Sequence, residues 1–167
     1  KPLYVLAPLA GFTDLPFRSV VKKFGADLTV SEMISSNALS HGSQKTFKML
    51  EKSVLEDPYS VQISASDADV ARQAVEVLNG EEGIDVIDLN CGCPVPKVFG
   101  HGSGSALLDD LPRLTSILRA IKETSNKSTL TYGTSCPAVV SRPEVIDKRG
   151  PKGVKTDSSR NRFASTS

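Results

Sequence analysis

Two cysteines separated by one glycine are the residues of this chain best suited to chemistry. They occur in Asn90-Cys91-Gly92-Cys93-Pro94, directly after an apolar run of strand length. No lysine, arginine or histidine stands within three positions of either thiol, and a thiol without a cationic neighbour is mostly protonated at neutral pH. Such a thiol suits proton donation better than nucleophilic attack; the alternative is a buried, inert cysteine. Because Cys91 and Cys93 alternate, they are unlikely partners for a shared metal ion, and we predict no metal site.

Residues near the ends of other strand-like runs are candidate ligand contacts. Gln62 lies between Val61 and Ile63, and its amide could pair with the donor and acceptor edge of a flat heterocycle; otherwise it is a polar group ending a strand. The segment Pro8-Leu9-Ala10-Gly11 offers backbone groups beside small side chains, where a planar ligand could approach closely. Its alternative is a tight strand-to-helix turn. Arg18 and Lys97 are candidates for phosphate contact or for exposure to solvent.

Strand-like and helical patterns alternate along the chain, and together they would position these residues. Short apolar runs predict strands, whereas apolar residues three or four positions apart predict helices, and a capping residue and a closing glycine mark the ends of two of them. The strands are predicted at 3–7, 28–32, 59–63 and 84–89, with a weak fifth strand at 129–132. The helices are predicted after Thr13 or Asp14, at 43–52, at 66–79 and at 111–124.

This alternation implies a parallel sheet with right-handed crossovers, for which a doubly wound sheet and a (β/α)₈ barrel are the two options. No Gly-x-Gly-x-x-Gly pattern follows the first strand, and the nearest candidate, at 100–104, follows no strand directly. Polar residues cluster after each strand instead, where a barrel builds its active site. The sequence therefore predicts an α/β fold, the first half of a TIM (β/α)₈-type barrel.

Charge and composition divide the chain near residue 126. Residues 1–126 have a net charge of −4, whereas residues 127–167 have a net charge of +5 and contain 18 Ser, Thr, Gly and Pro among 41 residues. We predict a half-barrel domain over 1–126 and a basic, mostly disordered tail over 127–167. No stretch approaches the roughly 20 apolar residues that cross a bilayer, and an odd number of cysteines forms no disulfide framework. We therefore expect a cytoplasmic protein without a membrane partner.

Taken together, these segments resemble the tRNA-dihydrouridine synthases. The most specific similarity is Asp88-Leu89-Asn90-Cys91-Gly92-Cys93-Pro94. The other similar segments stand in family order and at family spacing, at 7–18, 30–33, 60–63 and 102–108. A chance match to one motif would not bring the others, and the resemblance covers residues 3 to about 125.

The resemblance implies a flavoprotein that reduces a uracil base in tRNA to dihydrouracil, using FMN that NADPH has reduced. A hydride passes to C6 of the ring, and by position Cys93 gives the proton to C5. The loop Pro8-Leu9-Ala10 corresponds to backbone that lines the flavin, and Gln62 to the side chain that hydrogen-bonds the isoalloxazine. Asn90 lies where the family holds flavin or substrate. The base must leave its stack to reach the flavin.

The chain departs from the family after residue 126. Where the family carries Thr-Val-Lys-x-Arg, whose lysine contacts FMN, this chain has Thr129-Leu130-Thr131-Tyr132-Gly133-Thr134. Residues 127–167 are therefore predicted to be unrelated to the family. Two alternatives stay open: a truncated, inactive half-barrel that self-associates through open strand edges, and another FMN-dependent or phosphate-sugar barrel enzyme in which the loop cysteine is structural.

Overall fold

The computed structural model describes residues 3–132, and its framework is one parallel β-sheet. The strands are β1 (Val5–Leu6), β2 (Leu28–Val30), β3 (Ile34–Ser35), β4 (Tyr59–Ser64), β5 (Val86–Asn90) and β6 (Ser128–Tyr132). The helices are α1 (Leu15–Lys23), α2 (Ser36–Ser40), α3 (Gln44–Lys48), α4 (Ala68–Gly80), α5 (Pro96–Phe99) and α6 (Leu111–Thr124). A 3₁₀ helix spans Gly104–Asp109.

The order of strands in the sheet follows their order along the chain. Neighbours run β1-β2-β4-β5-β6, β3 also pairs with β4, and every pairing is parallel. A doubly wound sheet reverses its strand order at a switch point, whereas sequential parallel strands with intervening helices form barrels. The predicted parallel pairing of the first two strands is confirmed, and the fold is α/β, part of a TIM-type barrel.

Aspartate side chains begin the three long helices. Asp14 caps α1, Asp67 caps α4 and Asp110 caps α6, each accepting a hydrogen bond from a backbone N–H of the first turn. Such caps satisfy donors that have no partner within the helix. The bounds predicted for α6 are confirmed, whereas the helix predicted at 66–79 begins at Ala68 and ends at Gly80.

The two faces of the sheet differ in polarity because side chains alternate along each strand. The face toward α4 and α6 is apolar and forms the core with them. β4, β5 and the residue that follows β5 contribute Tyr59, Val61, Ile63, Ile87, Leu89 and Cys91. The opposite face is polar although it is buried, and its residues on β4 and β5 include Ser60, Gln62, Asp88 and Asn90. A buried polar face of this kind requires hydrogen-bond partners, and it contains two of the predicted site residues.

Two regions differ from the sequence prediction. The segment from Ile34 to Ser40 contains β3 and α2, neither of which was predicted, and the helix predicted at 43–52 is limited to Gln44–Lys48. The weak fifth strand predicted at 129–132 is confirmed as β6, which pairs with β5. It lies beyond the predicted domain boundary at residue 126, which stays a prediction. The rest of the predicted tail, 133–167, lies outside the described residues.

A buried ion pair joins α1 to the sheet. Nε of Arg18 donates to Oε1 of Glu56 at 2.7 Å, and the Thr29 hydroxyl donates to the same oxygen at 2.8 Å. The Ser53 backbone N–H donates to Oε2 of Glu56, and the Arg18 guanidinium lies 5.0 Å from the centre of the Tyr59 ring. The prediction that Arg18 meets phosphate or solvent is therefore wrong, because its charge is neutralised inside the protein.

Candidate functional site

The loop after β5 holds Cys93 at the carboxyl edge of the sheet. The side-chain oxygen of Asn90 accepts hydrogen bonds from the backbone N–H of Gly92 at 3.2 Å and of Cys93 at 3.0 Å. The Cys93 carbonyl accepts from the Ser105 backbone N–H at 3.0 Å and from its hydroxyl at 3.1 Å. The backbone of Cys93 is thus anchored on both sides, while its side chain stays partly exposed.

Gly104 allows this loop to pack closely against the 3₁₀ helix. A Cβ atom at position 104 would lie 2.6 Å from the Cys93 carbonyl oxygen and 3.2 Å from the Cys93 Cβ. The φ angle of Gly104 is also +63°, a conformation that side chains disfavour. Glycine at this position therefore helps to set where Cys93 lies.

The two cysteines of the loop have different surroundings. Cys91 is buried in the core. Burial, together with the smaller effect of the Asp88 charge, raises the pKa of the Cys91 thiol to about 12. Such a thiol stays protonated at neutral pH. Cys91 therefore matches the inert alternative considered for these cysteines, and Cys93 is the thiol that solvent and ligands can reach.

We predict that iodoacetamide alkylates Cys93 and spares Cys91 in the folded protein, because the reagent attacks accessible thiolates. The measurement is mass spectrometry of the intact protein at pH 8, using Cys136→Ser variants so that only the loop thiols report. The matched pair is Cys93→Ala, which should take up label only after denaturation, and Cys91→Ala, which should be labelled while folded. Rapid labelling of folded Cys93→Ala would contradict the burial of Cys91.

Gln62 and Asn90 meet on the polar face of the sheet. Nδ2 of Asn90 donates to Oε1 of Gln62 at 2.9 Å, and Nε2 of Gln62 donates to Oδ2 of Asp88 at 2.6 Å. Gln62 is only 1% exposed. Asp88 was not predicted as a site residue, although a carboxylate inside an apolar strand, two positions before Asn90, was an available signal. The structure therefore brings together three predicted residues, Gln62, Asn90 and Cys93, with Asp88 as a fourth.

The loop Pro8-Leu9-Ala10 lies at the same edge of the sheet, separated from β5 by β2 and β4. It forms a tight turn in which the Thr13 hydroxyl accepts from the Leu9 N–H at 2.9 Å. The Leu9 carbonyl accepts from the N–H of Phe12 and of Thr13, at 3.0 Å each. Leu9 and Ala10 are exposed, as is Lys97 on α5. Flavin contact by this loop stays a prediction.

Residues 3–132 lack two kinds of feature. None of their helices combines the length and the apolar character needed to cross a membrane. The same residues hold no group of three or more His, Cys, Asp or Glu that could bind a metal ion. The chemistry available at this edge of the sheet is therefore that of a thiol, two amides and a carboxylate.

Comparison with known proteins places this arrangement in a family. The family model that matches is described as dihydrouridine synthase and covers residues 5–132. A probable tRNA-dihydrouridine synthase of Helicobacter pylori is 59% identical over 127 residues, which are 76% of this chain and 39% of that protein. A tRNA-dihydrouridine synthase B of Pseudomonas syringae pv. tomato is 41% identical over 117 residues, 70% of this chain and 34% of that protein.

The extent of these matches agrees with the extent of the sheet. The chain spans about two fifths of the length of the Helicobacter pylori relative, or 39%. The family match ends at residue 132, the last residue of β6, rather than near the predicted limit of 125. Most of the sequence, including all of the residues that form the site, lies inside the match, and the chain belongs to the dihydrouridine synthase family.

Proposed function

We propose that this chain supplies the N-terminal half of a catalytic barrel that reduces uridine in tRNA to 5,6-dihydrouridine. The observation that carries the proposal is the partly exposed Cys93, whose backbone is fixed at the carboxyl edge of the sheet by Asn90 and Ser105. Family membership supports the class of reaction, and the relatives named above are tRNA-dihydrouridine synthases. A cytoplasmic location fits this proposal and stays a prediction.

Cys93 is proposed as the proton donor. Reduction converts the C5=C6 double bond of uracil to a single bond, with a hydride added at C6 and a proton at C5. The thiol gives its proton to C5 and the resulting thiolate regains one from water, so the protein is unchanged at the end of a turnover. A positioned general acid of this kind contributes roughly 10²–10⁴-fold to a rate.

The polar face of the sheet has hydrogen-bonding capacity that fits the ring of FMN. The nitrogen of the Gln62 amide can donate one hydrogen bond beyond the one to Asp88, and its oxygen can accept one beyond the one from Asn90. Ser60 is on the same face, and its buried hydroxyl oxygen lacks a hydrogen-bond partner among the described residues. We propose that Gln62 and the backbone of Pro8-Leu9-Ala10 hold FMN and that Asn90 holds flavin or uracil. When bound and reduced by NADPH, FMN would supply the hydride.

The second candidate is an inactive half-barrel that associates with a copy of itself. It is favoured by apolar side chains near the edge strand β1, since Tyr4 is 60%, Val20 is 51% and Phe24 is 87% exposed. Exposed apolar surface beside an unpaired strand edge promotes association. Self-association stays a prediction, and it differs from the first candidate in requiring neither flavin nor tRNA.

A chimaera tests the proposal directly. Residues 5–132 are joined to the remaining part of the Helicobacter pylori relative, and the purified protein is incubated with unmodified tRNA, FMN and NADPH. We expect a flavin absorbance spectrum in the protein and dihydrouridine in the tRNA, detected by mass spectrometry of its nucleosides. The matched control is the intact relative under the same conditions.

Each other outcome of this experiment has a definite meaning. A folded chimaera that binds flavin but leaves uridine unchanged would favour another FMN-dependent barrel oxidoreductase. A folded chimaera without flavin and without dihydrouridine would favour the inactive half-barrel. Both results would contradict the proposed function, provided that the intact relative is active in the same assay.

A further inference from the structure

We propose that Asp88 is a positioning residue that sets the direction of a hydrogen-bond chain running from the sheet to the Cys93 loop. The chain passes from Asp88 through Gln62 and Asn90 to the backbone N–H groups of Gly92 and Cys93. The geometric part of this inference depends only on the structure. Its relevance to catalysis rests on the function proposed for Cys93.

The direction of the chain begins at Asp88 because a carboxylate can only accept hydrogen bonds. Asp88 is fully buried, and its Oδ2 lies 2.6 Å from Nε2 of Gln62. Gln62 must therefore turn its nitrogen toward Asp88, which leaves its oxygen facing Asn90. An amide turned the other way would place two acceptors face to face inside the protein, where polar groups without partners are strongly disfavoured.

The orientation of Gln62 then determines that of Asn90. Because Oε1 of Gln62 is an acceptor, Asn90 must present Nδ2 to it, at 2.9 Å. The Oδ1 atom of Asn90 consequently faces the loop and accepts from the N–H groups of Gly92 and Cys93. If the Asn90 amide were reversed, its two N–H donors would face the backbone N–H donors of Gly92 and Cys93, and no hydrogen bond could form. Asp88 thus orients the loop through two intervening amides without touching it.

The test measures amide hydrogen exchange at Gly92 and Cys93 by NMR, using the full chain. Asp88→Asn keeps the shape of the side chain but allows it to donate as well as accept, so the orientation of Gln62 is no longer fixed. We expect exchange at these two amides to be about tenfold faster than in the wild-type protein. Exchange within α4 and α6 should not change. The matched control is Asp85→Asn, since Asp85 accepts from the Tyr59 N–H near the other end of these strands.

A compensating variant tests whether the loop depends on the direction of the hydrogen-bond chain or only on a carboxylate at position 88. In Asp88→Asn combined with Gln62→Glu, the carboxylate moves to position 62 and can only accept hydrogen bonds, from the new amide at position 88 and from Asn90. Asn90 is then oriented as in the wild-type protein, and we expect slow exchange at Gly92 and Cys93 to return. A role that depends only on a carboxylate at position 88 predicts a double variant no better than the single one.

Amide exchange at Gly92 and Cys93 decides the inference independently of any measurement of uridine reduction. Unchanged exchange in Asp88→Asn, or a double variant that exchanges rapidly or does not fold, would overturn it. If Asp88→Asn alone does not fold, the double variant is compared directly with the wild-type protein, and slow exchange at both amides is the supporting result. An inactive chimaera with restored exchange in the double variant would reject the proposed function and leave the hydrogen-bond chain in place.

Discussion

Replacing Arg18 with methionine should lower the free energy of unfolding by about 3–5 kcal/mol, because it leaves a buried carboxylate without its cation. Arg18 is 2% exposed and Glu56 is fully buried, and their side chains meet at 2.7 Å. Methionine occupies a similar volume but carries no charge and no donor. The loss is therefore electrostatic and is expected to exceed that of a substitution on the surface.

Further contacts of Arg18 add to this expectation. Its guanidinium donates to the carbonyl oxygen of Thr13 at 2.9 Å and to that of Glu51 at 2.7 Å. The bond to Glu51 connects α1 to the loop that precedes β4, while Glu56 connects the same loop to Thr29 on β2. Removal of one side chain thus leaves buried acceptors without their donor in two separate segments, and each such group is costly to bury.

Arg72→Met is the matched control. Arg72 also forms an ion pair, with Asp69 at 2.6 Å, but the two side chains are 44% and 82% exposed. Exposed pairs are worth less than about 1 kcal/mol, so this variant should unfold near the wild-type urea concentration. The measurement is urea denaturation followed by circular dichroism. Equal losses for Arg18→Met and Arg72→Met would show that the buried pair does not stabilise the fold as we infer.

The dependence of stability on pH gives a second measure of the same pair. Burial by itself would raise the pKa of Glu56, but hydrogen bonds from Arg18, Ser53 and Thr29 together hold it below its usual value of 4.5. A carboxyl whose pKa is lowered on folding contributes stability above its unfolded pKa, and this contribution is lost as the pH falls through its folded pKa. The difference in stability between wild type and Arg18→Met should therefore shrink in acid.

Local patterns in the sequence predicted the framework of the fold. The helix at 111–124 was correct to the residue, since its leucine and isoleucine spacing is a signal within the segment itself. The start of the second strand at Leu28 and the parallel pairing of the first two strands were also correct. The site loop was found for the same reason, because Asn90-Cys91-Gly92-Cys93-Pro94 is contiguous and follows a strand directly.

Contacts between distant segments could not be predicted in the same way. Arg18 and Glu56 are 38 positions apart, and Gln62 and Asp88 are 26 apart. Which residues face each other at such separations depends on strand register, and a shift of one residue turns every side chain to the opposite face. The sequence could therefore show that Gln62 and Asn90 were polar and near strand ends, but not that Asp88 joins them in one hydrogen-bonded row.

In the chimaera described above, Cys93→Ala should slow uracil reduction by about 10²–10⁴-fold. The reduction of flavin by NADPH should keep its normal rate, because that half-reaction transfers no proton to C5 of uracil. The hydride transfer to uracil instead leaves a negative charge on the ring, and without a positioned acid this charge must be neutralised from water. Pre-steady-state absorbance of the flavin separates the two half-reactions in one instrument.

Two variants control for effects of size and of position. Cys93→Ser keeps a hydroxyl close to the size of the thiol, but a serine hydroxyl is a far weaker acid, so it should be nearly as slow as Cys93→Ala. Cys91→Ala removes the neighbouring thiol, which is buried and has a pKa of about 12. Its uracil reduction should stay within a few-fold of the wild-type rate, with its cost appearing in stability because a buried side chain has been shortened.

The pattern across these three variants decides between a chemical and a structural role for Cys93. Suppose that both Cys93 variants lose uracil reduction while flavin reduction stays intact and Cys91→Ala stays active. This result would show that the reaction requires an acidic group at position 93. Loss in Cys93→Ala alone would show that size and hydrogen bonding at this position matter more than acidity. Near-normal turnover in both Cys93 variants would mean that another group delivers the proton, because the backbone of the loop is held by Asn90 and Ser105 whichever side chain stands at 93.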